Sequence, residues 1–292
     1  MAIAELLDLL SCPVCRTAFT EEGGSVRCAK GHRFDVARQG YLNLLATAPP
    51  RHADTPAMVA ARERFLGGGA YRPIAAALVA AVRAGLAEAR SGAVPAAPAV
   101  LESGAGTGYY AAALLDGLGG RGLALDISTA AARRAARAHP RLAAVVADVW
   151  GTLPVVAARL DVLAAVFAPR NPAEFARVLR PDGVLAVVTP LPEHLQELRT
   201  ALGLLDVEQD KQQRLASTLS DAFLPLHEER VRYPVSWAAP MVVDLVAMGP
   251  NAFHLSGADL TDRVGGLPDP AAATVAVTVS TWVRRPTPPA PG

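Results

Sequence analysis

Between Ala99 and Thr189 the chain alternates short apolar runs with amphipathic stretches at helical spacing. The apolar runs are Ala99 to Ser103, Gly122 to Asp126, Ala143 to Ala147, Leu160 to Phe167 and Val184 to Thr189. The stretches between them, Thr107 to Leu118, Thr129 to Ala138 and Pro172 to Leu179, read as helices. Uninterrupted apolar strands need cover on both faces, so the pattern predicts βαβ units in a doubly wound, mostly parallel sheet of the α/β class. Upstream, a helix is expected from Asp54, read as its N-cap with Pro56 in the first turn, to the glycines at 67–69. A second follows from about Pro73 to Arg90, and Ser91 to Pro98 is a linker. Near the end, the Val/Thr alternation of Ala272 to Val283 predicts one late strand.

Pro13 to Leu45 breaks this pattern, being polar and rich in turns, and holds all three cysteines. It is expected to form a small separate domain. The divisions expected are 1–50 for this small amino-terminal domain, 51–98 for a helical connector, and 99–292 for the main domain.

Hydrophobic residues make up 51% and charged residues 19% of the 292 residues, which excludes a disordered chain. No apolar run approaches the ~18 residues of a membrane span. Glu5 and Asp8, with no cleavage site before Cys12, give no secretory signal. A cytoplasmic protein with no membrane partner is expected. Net charge is only +1, so contact with nucleic acid has to come from local patches. One such patch lies in the small domain, at Arg16, Arg27, Lys30, Arg33, Arg38 and Arg51.

The cysteines carry the first chemistry. Cys12, Cys15, Cys28 and His32 are spaced C-x2-C-x12-C-x3-H, two tight pairs able to close a tetrahedral zinc site. Four protein ligands leave no open position, so the metal is expected to be structural.

The second signal is Glu102-Ser-Gly104-Ala-Gly106-Thr107-Gly108, which follows a strand and opens a helix. A dinucleotide fingerprint spaces its glycines G-x-G-x-x-G; here the third arrives one residue early. That spacing favours S-adenosylmethionine, which has no phosphate to cradle. Asp126, ending the next strand, can accept the ribose hydroxyls, and Asp148 lies where the adenine amino group would sit.

Taken with other stretches, these motifs give the chain a family likeness. They are Phe34 to Leu45, Met58 to Arg62, Gly69-Ala-Tyr71-Arg-Pro73, Asp148-Val-Trp150, Phe167-Ala-Pro-Arg-Asn-Pro172 and Thr189 to Leu195. The chain resembles the large-subunit ribosomal RNA guanine-N1 methyltransferases, in particular the branch conferring resistance to tylosin-type macrolides. The resemblance covers nearly the whole chain and implies a class I Rossmann-like methyltransferase. Its target would be a hairpin-loop guanine of 23S rRNA near the macrolide site of the peptide tunnel, nucleotide 748. It also implies a homodimer, and cofactor contacts at Tyr71, Gly106, Thr107 and His194. The sequence departs from the family pattern at Glu102-Ser103 and at Pro181-Asp182-Gly183.

Guanine N1 carries a proton that must leave for the lone pair to attack. Asn171 and His194 are the candidate catalytic residues, and Glu193, Asp182 and Asp244 are further candidates for the proton acceptor. Two alternatives stay open at this stage: a small-molecule methyltransferase of antibiotic or quinone biosynthesis, and a catalytically silent RNA-binding scaffold.

Overall fold

The computed structural model describes residues 3–45, 53–205, 216–253 and 257–286. Arg51, the proline-rich end beyond Pro286 and the 50/51 division therefore lie outside the described residues.

The chain opens with a 3-10 helix, Ala4–Leu9, and a three-stranded antiparallel ribbon of β1 (Phe19–Glu22), β2 (Ser25–Cys28) and β3 (Arg33–Asp35). After it come β4 (Tyr41–Asn43), α1 (Pro56–Gly67) and α2 (Arg72–Ala89). The alternating part follows as β5 (Ala99–Ser103), α3 (Tyr109–Leu118), β6 (Arg121–Asp126), α4 (Thr129–Ala135), β7 (Leu142–Val146), β8 (Leu160–Val166), α5 (Pro172–Val178) and β9 (Leu179–Pro190). Two long strands, β10 (Phe223–Trp237) and β11 (Ala271–Arg284), complete the main sheet, with a helix at Ala239–Ala247 between them.

The eight strands lie in the order β10-β11-β9-β8-β5-β6-β7-β4. β4 through β9 run parallel where they pair, and β11 and β10 are antiparallel. β5, β7 and β8 are buried at every position, which is why they read as continuous apolar runs. β10 is an edge strand, and that explains its absence from the sequence prediction. Pro225 and Pro234 and four charged residues between them suit an edge that donates to one neighbour only.

α1 begins one residue later than expected. Thr55 is the N-cap, its hydroxyl accepting the Met58 N–H at 3.3 Å, and Asp54 is released to pair with Arg62.

α2, α3 and α4 cover one face of the sheet, where Leu78, Val82, Leu114 and Leu115 meet Val100, Ala124, Val162 and Ala186. The other face lacks a helix in one place, because residues 147–159 cross from β7 to β8 without forming one. The amino-terminal segment fills that gap. Leu6, Leu9 and Leu10 are buried with Leu153 and Val155 against Leu101, Leu123 and Val145. Leu10 bridges Val155, the Ser11 N–H donates to the Pro154 carbonyl at 3.0 Å, and Arg121 forks onto Asp8 at 2.6 and 2.7 Å. At about 1.5–3 kcal/mol per buried leucine, this seam is comparable with the net stability of a domain. β4 adds a second tie by pairing with β7, and takes Tyr41 away from the ribbon to pack on the main core. Within the ribbon Phe19 and Phe34 meet edge to face at 5.7 Å.

Candidate functional site

Each pair of metal-ligating residues sits on a tight turn. Cys12 accepts the Arg16 N–H on its carbonyl at 2.8 Å, and Cys28 the Gly31 N–H at 2.8 Å; Gly31 has φ +85°. Cys15 and Cys28 Sγ are 3.5 Å apart, and His32 Nδ1 lies 3.6 Å from Cys12 Sγ and 3.3 Å from Cys28 Sγ. All four ligand atoms fall within 4.8 Å of one another. Bond lengths of about 2.3 Å to sulfur and 2.0–2.1 Å to nitrogen around a tetrahedral zinc give ligand separations of roughly 3.5–3.8 Å. The four residues fit that ion, with no place left for a substrate.

At the carboxyl ends of β5, β6, β7 and β8 lies a cavity of about 560 Å³. Tyr71, Gly104, Gly106, Asp126 and Asp148 line it. Gly104 takes φ +69°, and a Cβ there would stand 2.6 Å from that of Ala168. The Asp126 carboxylate holds the glycine loop, with Oδ2 accepting the Gly106 N–H at 2.7 Å and Oδ1 the Ser128 N–H at 2.8 Å. Burial pushes its pKa up, and both oxygens keep a further lone pair. Asp148 Oδ1 accepts the Trp150 N–H at 2.9 Å.

Three of the expected residues do not line this cavity. Thr107 faces a second cleft, among α1, α2, α3 and α4. Gly108 caps α3 at φ +78° and lets it approach Ala135. His194 is buried behind Tyr71, its Nε2 3.2 Å from the phenol oxygen, while its Nδ1 accepts the Ala276 N–H at 3.2 Å. That second bond places the neutral ring's proton on Nε2, which donates to Tyr71. The ring then has no lone pair left to receive a proton from a substrate. Burial first, and Arg199 second, lower its pKa to about 4.

Asn171 is also committed elsewhere. Its Nδ2 donates to the carbonyls of Val149, Trp150 and Gly151, and its Oδ1 faces the Glu174 N–H as the cap of α5. Asp244 pairs with Arg64 and Asp182 with Arg90; neither these nor Glu193 lines the cavity.

Sequence reasoning missed several lining residues. Arg62 is the one cation among them; it pairs with Asp54, donates to the Met248 carbonyl at 2.8 Å and lies over Gly106. Glu102 is buried with Oε2 on the Ala111 N–H at 2.7 Å, and desolvation, with help from Asp126, raises its pKa to about 8. The buried Tyr110 hydroxyl has no hydrogen-bond partner among the described residues. Phe167 and Trp150 also line the cavity while staying substantially exposed. Glu102 opens the glycine motif, and Arg62, Trp150 and Phe167 stand in stretches that carry the family likeness, but no role at the cavity was read from them; Tyr110 carried no signal.

A sheet with this strand order, a glycine loop after its first central strand and acids after the next two define a class I methyltransferase domain, here carrying a zinc ribbon. Residues 10–49 match the family described as "RlmA, N-terminal", a zinc ribbon, and residues 100–183 match "Methyltransferase domain". A Micromonospora griseorubida protein assigned as a 23S rRNA (guanine-N(1)-)-methyltransferase is 47% identical over 289 residues, covering 95% of this chain and 98% of its own. The 23S rRNA (guanine(748)-N(1))-methyltransferase of Streptomyces fradiae is 44% identical over 280 residues, 96% and 97% of the two chains. A Bacillus subtilis (strain 168) protein assigned to the guanine-N(1) activity is 33% identical over 202 residues, 67% and 69% of the chains. The chain belongs to the 23S rRNA (guanine-N1)-methyltransferase family. Its cofactors are S-adenosylmethionine and a structural zinc ion.

Proposed function

We propose that the protein methylates N1 of guanine 748 in a hairpin of 23S rRNA, and that this confers resistance to tylosin-type macrolides. Near-full-length similarity to the Streptomyces fradiae enzyme supports the target. The observation that carries an RNA substrate is the loop after β7. It lines the cavity at Asp148, Val149 and Trp150, and the ribbon grips it through Arg16 on the Thr152 hydroxyl, 3.2 Å, and Leu10 on Val155. Substrate held by the ribbon would thus be presented at the mouth of the cavity. As part of this reading, residues 1–50 recognise RNA, 51–98 connect and 99–292 catalyse, in a cytoplasmic homodimer.

S-adenosylmethionine supplies a sulfonium methyl, and with it an ammonium and a carboxylate. The lining fits those charges. Arg62 would take the carboxylate, Glu102 and the Tyr110 hydroxyl would face the ammonium, Asp126 would take the ribose, and Asp148 the adenine amino group. Tyr71 walls the cavity and is held in orientation by His194. Transfer to a nitrogen nucleophile needs alignment and exclusion of water more than covalent help, which suits a buried cavity of fixed shape.

The test is transfer of labelled methyl to unmodified 23S rRNA, mapped by reverse transcription, since N1 methylation blocks the Watson–Crick edge. A stop at guanine 748 is expected; label on another nucleotide, or none on RNA, overturns the reading. Light scattering at twice the chain mass tests the dimer.

A further inference from the structure

Phe167 is the one residue lining the cavity that is not glycine and yet has a left-handed backbone, with φ +52°. A bulky L-residue is costly there, and such strain collects where a side chain has to be aimed. Its N–H is held by the Val188 carbonyl at 3.1 Å, so the conformation is fixed by the sheet. The ring packs beside Tyr71 and His194, each at 6.0 Å between centroids, and still leaves the residue 41% exposed. Trp150, 67% exposed, lines the same cavity. Folding has therefore left two aromatic rings in water at the mouth of one cavity, against their tendency to be buried.

The strand order sets the Phe167 ring apart from the cofactor's polar anchors. Phe167 follows β8, on one side of the glycine loop, while Asp126 and Asp148 follow β6 and β7 on the other. Asn171, through its bonds to three carbonyls of the loop after β7, draws Trp150 across toward the start of α5. Between the cavity-lining Pro169 and Asn171 stands Arg170, half-buried and with no acid partner among the described residues. A guanidinium in that setting suits an anion brought by the substrate.

We infer that Phe167 and Trp150 form the stacking platform for the everted target base, and that Arg170 holds a phosphate of the same RNA segment. Bases taken out of a loop are read by stacking on aromatic rings, and an unpaired cation beside them fixes the backbone. The inference rests on the proposed RNA substrate and adds the residues that receive it.

The experiment compares wild type with Phe167→Leu, Phe167→Tyr, Trp150→Leu and Arg170→Gln. It measures methyl transfer to 23S rRNA, and S-adenosylhomocysteine affinity by calorimetry. Loss of base–aromatic stacking lowers kcat/KM for RNA by roughly 5- to 100-fold in Phe167→Leu and Trp150→Leu. The tyrosine variant keeps activity, and cofactor-product affinity stays within about twofold in all four. Arg170→Gln weakens RNA binding and makes its slope against log salt shallower by about 0.7. Both leucine variants at wild-type kcat/KM, or a loss of S-adenosylhomocysteine affinity matching the loss on RNA, overturns the platform. If wild type modifies a different guanine, the choice of nucleotide falls, while the platform is judged on that guanine by the same ratios. If wild type labels no RNA, both fall together.

Discussion

Replacing Gly104 by alanine imposes two separable costs. The backbone there is left-handed at φ +69°, which costs an L-residue about 1–2 kcal/mol. The new methyl would also stand 2.6 Å from the Ala168 Cβ, well inside the ordinary separation of about 3.5–4.0 Å between carbons. Ala168 cannot step aside easily, since it lies between Phe167, itself left-handed, and Pro169. Overpacking of this kind costs about 1–3 kcal/mol. The sum, about 2–5 kcal/mol, leaves a folded protein whose melting point drops by roughly 4–20 °C. A four-protein cycle of wild type, Gly104→Ala, Ala168→Gly and the double variant separates the two costs. Removing the methyl at 168 relieves the clash and leaves the dihedral penalty, so thermal melting should yield a favourable coupling of about 1–3 kcal/mol. S-adenosylhomocysteine affinity in Gly104→Ala should fall along with stability, because the displaced loop is a cavity wall. A single variant that melts with wild type, or a cycle with no coupling, would refute the packing argument.

Four further outcomes are expected. Arg62→Met should weaken S-adenosylhomocysteine binding by about 10- to 100-fold, the worth of a charge-assisted bond, and leave 5′-methylthioadenosine, which lacks the amino-acid end, within about twofold; equal losses would remove the carboxylate assignment. Glu102 has its folded pKa raised to about 8, so the folded state binds the extra proton and stability falls as pH rises from about 4.5 to 8. Glu102→Gln should therefore melt higher than wild type at pH 8 and lose that slope, while binding cofactor more weakly. His194 is the opposite case: its folded pKa of about 4 lies below the unfolded value near 6.5, so stability is full above pH 6.5 and is lost as pH falls toward 4. His194→Gln should flatten that window in pH-resolved melting. Cys12→Ser should release zinc, measured by a colorimetric chelator, and also lower the melting point of the methyltransferase domain; an unchanged melting point would mean the ribbon seam contributes nothing.

Much of this was legible where one physical demand dominates a segment. Strands covered on both faces must be apolar throughout, so β5, β7 and β8 could be read directly. Cysteines in a metal site need fixed spacing, and the glycine loop needs residues without a side chain. What escaped depends on partners distant in sequence. Arg62 becomes a cavity cation only because α1 folds over Gly106, and His194 loses its basicity to burial and to Arg199. β10 hides behind prolines and charges that an edge position tolerates. Asp54 and Thr55 are both good caps, and the choice between them fell to the partner of Arg62. The helix missing between β7 and β8 could be seen as a gap, but nothing local says that Leu6, Leu9 and Leu10 fill it.

That seam has a consequence for how the protein is made. Leu10 and β4 leave the ribosome well before their partners, which follow more than a hundred residues later at Val155 and β7. Until β7 emerges, a zinc-loaded ribbon can be complete while its neighbouring leucines and the β4 edge stay open to solvent, a high-contact-order arrangement that slows closure and invites association between nascent chains. Transplanting the ribbon onto another methyltransferase, or deleting it from this one, would carry the same hazard, because each half takes away part of the other's interior.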